Sequence, residues 1–396
     1  MKRLLILAVM ALTFVIAKAT NNNEIDAGNP GINFNHQSWK EIVNKAKTDN
    51  KLIFVDFYTQ WCGPCYNMAT TVFTLPAVGS FYNNNFVCAK IDTENGEGIE
   101  LAKKYGIHSY PTYLFIDPTT EKPLHRSSSR QTVEQFLQTG KCALNPTQRS
   151  YYLEEQYAKG NRERKLMEDY IMYKHSVYAR NEVNKAFDEL IKGGAKIKDK
   201  DVWPIFCSCI SGVTPYLKEV SAKYNLFCQL FGKKNVDKKL AKETVYGNLS
   251  EIESLCNFDG KDFNCEMIRI NNATRDKKYD EAIKRIDAMI ANPKVDQQKL
   301  INSLKFIARL SYYMADELPE EWFNKCVEYL RYIAYNDNNR DDANIHFEYA
   351  AALEKLVDHI EKNGGKVPSF ITSEPSHGKN RYSMRPAALK QKPKRK

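Results

Sequence analysis

Two cysteines, Cys62 and Cys65, stand two residues apart within Tyr58-Thr59-Gln60-Trp61-Cys62-Gly63-Pro64-Cys65-Tyr66-Asn67-Met68. A pair at this spacing suits reversible two-electron chemistry between dithiol and disulfide. The residues that follow, 66–73, have a helical pattern, so the pair is expected where a helix begins. A helix N-terminus presents unpaired N–H groups and a partial positive charge. That field favours thiolate over thiol on Cys62 and lowers its pKa. Cys62 is therefore expected as an exposed nucleophile, with Cys65 deeper, one turn further on. Cys62 attacks a disulfide, and Cys65 then attacks Cys62 and releases the captured partner. The same spacing is also half of a zinc site, but a tetrahedral site needs two further ligands. No second Cys-x-x-Cys occurs, and Gly63-Pro64 fits a redox pair better, so no metal and no cofactor are expected.

The flanking elements must hold the pair in place. Residues 38–50 read as an amphipathic helix with Trp39, Ile42, Val43 and Ala46 on one face. Residues 51–59 are a near-continuous apolar run, as expected of a strand covered on both sides. The helix after the dithiol is expected to end near Leu75-Pro76. Strands follow at 86–92 and 110–117, with a short helix at 98–106 between them. A turn at 118–123, a short strand at 124–128 and a closing helix at 131–140 complete the series. The first three strands are joined through helices and are expected to be parallel; the turn-linked last pair is expected to be antiparallel.

Three separated segments resemble the thioredoxin family: 54–65 (FVDFYTQWCGPC), 90–92 (KID) and 105–116 (YGIHSYPTYLFI). The likeness, which covers 51–141, is in particular to exported bacterial thioredoxin-like proteins. It implies a mixed central sheet flanked by helices and thiol–disulfide oxidoreductase activity. It also implies roles residue by residue. Asp56 is the buried acid beneath the dithiol that assists proton transfer at Cys65. Trp61 shields the site. Pro111 is a cis-proline facing the disulfide, leaving the backbone of Tyr110 free to pair with an extended substrate. With Trp61, Tyr110 and Thr112, Gly63 and Pro64 complete the expected substrate-binding set. Tyr66 departs from the family pattern, standing where a Lys or Arg often follows the second cysteine. Ser127 and Ser128 depart as well, where a glycine usually lines the groove. His108, just before the cis-proline segment, reads as structural.

From about Thr147 the strand signal ends and helical spacing runs to about Asn363. Ala282, Ile283, Ile286, Met289 and Ile290 form one stripe. Leu304, Ile307, Ala308, Ser311 and Met314 form a second. Phe323, Cys326, Val327, Leu330 and Ala334 form a third, and Phe347, Ala350, Leu353, Leu356, Val357 and Ile360 a fourth. These read as degenerate tetratricopeptide-like hairpins. The expected organisation is a leader at 1–19, a linker at 20–35, the α/β domain at 36–142, the all-helical domain at 147–363 and a tail at 364–396.

The leader has basic Lys2 and Arg3, an apolar stretch from Leu4 to Ile16 and a small-x-small site at Ala17-Lys18-Ala19, the order of a secretory signal. A periplasmic or secreted location is expected, with cleavage after Ala19. The net charge of +10 is uneven: the last 31 residues carry +8 and the leader +3, leaving residues 20–365 at −1. A near-neutral body excludes a general nucleic-acid footprint. The basic tail reads as a solvated extension, or as an electrostatic attachment to an anionic surface. Among the other cysteines, Cys88 reads as a packed thiol. Cys207 and Cys209 read as structural thiols or partners of distant cysteines, and Cys256 and Cys265 as candidates for a local disulfide.

The Gly-Pro dipeptide resembles the reducing end of the family. The expected function is reduction of disulfides in exported client proteins, with electrons from a membrane thiol donor. The alternatives are an isomerase, or an adaptor or chaperone whose helical domain recruits clients.

Overall fold

The computed structural model describes residues 31–339, 341–362 and 364. The leader, most of the linker and nearly all of the tail lie outside the described residues. The chain divides into two compact units between Ser211 and Gly212.

In the first unit the order is β1 (Phe34–Asn35), α1 (Trp39–Asp49), β2 (Leu52–Tyr58), α2 (Gly63–Thr71), α3 (Pro76–Asn85), β3 (Phe86–Asp92), α4 (Gly98–Lys104), β4 (Thr112–Ile116), β5 (Pro123–Ser128) and α5 (Val133–Leu144). The sheet order is β1-β3-β2-β4-β5. The first three of these run parallel, and β4 and β5 are each antiparallel to their inner neighbour.

Helix α1 starts on a capping box formed by Ser38 and Glu41 and buries Trp39, Ile42, Val43 and Ala46, the face its spacing predicts. Strand β2 is covered on both sides. Ile53, Val55 and Phe57 pack with α1 and α4. Phe54 faces the other way, among Met68, Tyr82, Phe115 and Phe136. Its ring meets Tyr82 edge-on at 4.9 Å. Burying such a ring contributes about 1.5–3 kcal/mol. Because side chains alternate along a strand, Asp56 shares the side of Phe54, where α2 packs.

Three features differ from the sequence expectation. Phe34 and Asn35 lie in the polar stretch read as linker, yet they pair with Cys88 and Ala89 of β3. The cause is tertiary: Phe34 and Ile32 join the Phe54 cluster. Helix α3 was not expected, since Gly79 and Asn83 to Asn85 blur its period; burial of Val78 and Tyr82 holds it. Strand β4 is antiparallel to β2, not parallel. The connection leaves β3 at Asp92, opposite Tyr58, and re-enters with Thr112 opposite Phe57, at the same end of β2. The seven-residue α4 covers about 10 Å, less than half the roughly 23 Å of a seven-residue strand. It does not carry the chain back to the start of the sheet.

Gly98 opens α4 against the backbone of β3. A Cβ there would stand 1.9 Å from the carbonyl oxygen of Asp92. Gly98→Ala is expected to lower stability by about 1–3 kcal/mol through backbone displacement, read as a lower denaturant midpoint with an unchanged slope.

The unit continues through α6 (Ser150–Ala158), α7 (Arg164–Ser176), α8 (Arg180–Lys192) and α9 (Val202–Cys209). The start of α6 meets β5, the outer strand of the sheet. Ser150 N–H donates to Nδ1 of His125 at 3.0 Å, and Arg126 N–H donates to Oγ of Ser150 at 2.8 Å. Burial pulls His125 down to about 3, so its ring is neutral and able to accept. A backbone N–H that would otherwise template strand pairing is thereby satisfied.

Among the described residues the second unit is helical: α10 (Pro215–Ala222), α11 (Tyr224–Phe231), α12 (Lys233–Glu243), α13 (Leu249–Glu253), α14 (Lys261–Arg275), α15 (Tyr279–Ala291), α16 (Gln297–Ala308), α17 (Glu320–Asn336) and α18 (Ala343–Lys362). Ala282, Ile283, Ile286 and Met289 are buried in α15, and the whole stripe from Phe323 to Ala334 is buried in α17, as spacing predicts. The stripe expected from Leu304 to Met314 is interrupted. Helix α16 ends at Ala308, Leu310 takes φ 63°, and a 3₁₀ turn follows at Ser311–Met314. In α18 the buried face is Ile345, Tyr349, Ala352 and Leu356, while Phe347 is exposed. Of the expected stripe, Leu356 is buried and Leu353 and Ile360 pack against the core, so the buried face is shifted around the helix rather than replaced.

Cys256 and Cys265 are free thiols, not a local disulfide. Cys265 points into a small core with Ile252 and Ile268. Cys207 and Cys209 are in no disulfide among the described residues, and Cys88 is a buried thiol whose pKa burial pushes up.

Candidate redox site

Cys62 and Cys65 form a disulfide with Cα atoms 5.3 Å apart. Cys62 is the N-cap of α2, Pro64 stands in the first turn, and Cys65 N–H donates to Sγ of Cys62 at 3.1 Å. The placement at a helix start is as expected. The exposure is not: Cys62 is only 5% exposed and Cys65 4%. As a cap, the Cys62 side chain turns back over the first helical turn, and the disulfide draws both sulfurs inward. The neighbours carry the exposure instead. Trp61 is 70% and Tyr66 72% exposed, and Gly63 and Pro64 are exposed too.

Asp56 is buried. Burial raises its pKa to about 7, and Lys90 pulls weakly the other way. Among the described residues its Oδ1 has no hydrogen-bond partner. Tyr113 lies opposite it on β4; burial and the Asp56 carboxylate both raise that phenol well above its usual range. Asp56 is thus a carboxyl poised between its two protonation states near neutrality, on the side of β2 that packs against α2.

The Tyr110–Pro111 peptide bond is cis. Pro111 is buried, and its carbonyl accepts Ser129 N–H at 2.9 Å. Tyr110 is half-buried and meets Trp61 edge-on at 5.9 Å. The fold therefore brings the loop before β4 to the loop before α2. Thr112 is buried, and its hydroxyl donates to the carbonyl of Ser109 at 2.7 Å, so its side chain is held inside the loop. Ser127 is also buried. His108 is exposed.

Two residues of the site had no sequence signal. Glu94 accepts the indole N–H of Trp61 at 2.9 Å. Gln131 ties three elements together: its backbone N–H donates to Sδ of Met68 in α2, its side-chain amide donates to Oγ of Ser127 at 2.7 Å, and its amide oxygen accepts from Thr139 at 3.0 Å. Contacts between residues tens of positions apart leave no local pattern.

A paired sheet carrying a helix-start disulfide, a buried acid and a cis-proline loop defines a dithiol–disulfide fold. Residues 31–139 match the family model for thioredoxin and form a thioredoxin domain. The chain is 43% identical over 68 residues to thioredoxin-1 of Drosophila yakuba, covering 17% of this chain and 59% of that protein. It is 29% identical over 120 residues to protein disulfide-isomerase 1 of Dictyostelium discoideum, covering 30% of each. The chain thus spans about three fifths of the first of these relatives and under a third of the second. A solved candidate disulphide-isomerase from Bacteroides thetaiotaomicron is 39% identical, with 29% of this chain and 94% of that one covered and a TM-score of 0.27.

Proposed function

We propose that the protein is an exported thiol–disulfide oxidoreductase that reduces disulfides of other exported proteins. The observation that carries this reading is the Cys62–Cys65 disulfide at the start of α2. In the reduced protein, the Cys62 thiolate attacks one sulfur of a client disulfide. A bond forms between Cys62 and that sulfur, and the second client sulfur leaves and takes a proton. Cys65 passes its proton to the Asp56 carboxylate and attacks Sγ of Cys62. The Cys62–Cys65 bond re-forms and the first client sulfur leaves as a thiol. Two electrons have moved to the client, and a membrane thiol donor returns two to the pair.

Tyr110, set by the cis bond to Pro111, offers its backbone to an extended client segment, beside Trp61, Gly63 and Pro64. The leader at 1–19 supports export, and the Gly-Pro dipeptide supports the reducing direction. The equilibrium potential of the pair against glutathione tests that direction. A value toward ~−270 mV is expected, and one near ~−120 mV would make the protein an oxidant.

A second reading has its own observation. In the second unit Phe306 is 84% and Tyr313 71% exposed, and Phe347 is exposed as well. Exposed apolar groups of this kind favour a tetratricopeptide-like surface that holds clients, with the dithiol accessory. Function that survives replacement of both cysteines by serine would select it.

A further inference from the structure

We propose that Glu94 gives the dithiol face a charge preference, favouring clients that carry a lysine or arginine on the Trp61 side of the target cysteine. This deepens the reductase reading and rests on it. From Tyr58 to Met68 the chain carries no acidic or basic side chain. The charge comes from the turn between β3 and α4. Glu94 is exposed, and it accepts the N–H of Trp61, the exposed ring beside Cys62. Its carboxylate therefore stands at the rim of the surface that an incoming disulfide must meet.

Asp92 lies alongside. It accepts from the side-chain amide of Gln60 at 3.2 Å, the side-chain amide of Asn95 at 2.6 Å and the backbone N–H of Glu94 at 3.0 Å. All these donors are neutral, so none cancels the charge. The cation on the same strand, Lys90, sits over the Tyr58 ring at 4.7 Å. Ser129 holds the carbonyl of Pro111, and the next residue is the exposed Arg130. Tyr66, where the family pattern often has a cation, adds none beside Cys65. The acidic charge thus stands on the Trp61 flank of the disulfide.

Such a field acts on encounter and on the orientation of the bound segment, and salt screens it. The sulfur chemistry is unchanged. The test uses the full chain in its reduced form and three disulfide-bonded peptides that differ only beside the cysteine: lysine on the N-terminal side, lysine on the C-terminal side, or glutamate on both. One lysine peptide is expected to be reduced about three- to tenfold faster than the glutamate peptide at low ionic strength, with the gap closing at about 0.5 M salt. Glu94→Gln, which keeps an acceptor for the indole, is expected to narrow the gap, and Glu94→Lys to invert it. Equal rates for the three peptides, or a gap that neither substitution moves, would overturn the inference while leaving the reductase reading intact. If all three peptides resist reduction, the reductase reading falls and this inference with it.

Discussion

Cys62→Ser is expected to reduce disulfide reduction by on the order of 10³-fold or more, because a hydroxyl has neither the anionic form nor the nucleophilicity of a thiolate at neutral pH. Cys65→Ser should behave differently. Cys62 still attacks, but no second thiol resolves the product, so a stable mixed disulfide with the client should accumulate. The two cysteines hold different positions in one helical turn, with Cys62 as the cap and Cys65 inside the helix, donating its N–H to the Cys62 sulfur. That asymmetry predicts the asymmetric result. Turnover is measured by the reduction of a disulfide-bonded protein substrate, and trapping by a reducible mass shift on gels. A Cys62→Ser variant that retains turnover, or a Cys65→Ser variant that traps nothing, would remove the assignment of attacking and resolving roles.

Asp56→Asn is expected to stabilise the oxidised protein while slowing it. The carboxyl is buried, and its pKa is raised from the ordinary 3.8 to about 7, with burial as the main cause. Between those values the folded chain holds a proton that the unfolded chain has released. Stability therefore falls as pH rises from about 4 to about 7 and stays reduced above that. An uncharged amide of the same shape removes the penalty. At pH 8 the variant should be more stable than the native protein by at most about 4 kcal/mol, and the difference should shrink toward pH 4. Denaturant melts of the oxidised form across that range check this. Turnover should fall at least about tenfold, as expected when a positioned proton acceptor is lost. The native rate should climb as pH passes through about 7, while the variant should lack that inflection. A native stability that stays level from pH 4 to 8 would show that the carboxyl does not carry the burden its burial implies.

Much of the site was legible because its signals are local. The Cys-Gly-Pro-Cys quartet, its place at a helix start, the buried apolar run of β2 and the face of α1 each lie within a dozen residues, and the structure places them as their spacing requires. The cis bond before Pro111 was implied by resemblance, and the structure has it. The near-complete burial of Cys62 was not legible, since it depends on the disulfide and on how a capping side chain folds over its helix. The same limit explains the cysteines at 256 and 265. A turn-rich sequence between them allowed closure, but the side chain of Cys265 is committed to a core.

Taken alone, the sequence determined the dithiol and the elements whose apolar spacing is unbroken, but not β1 or α3, because periodicity and turn chemistry act over a few residues. Tertiary structure decided the direction of β4, the recruitment of Phe34 into the sheet and the exposure of Phe347 on α18. It also decided that Glu94 would meet Trp61, and Gln131 would meet Met68. Those outcomes depend on which surfaces meet after the chain has folded back on itself. Contacts between residues more than 30 positions apart are selected by packing, whose free energy no local pattern encodes.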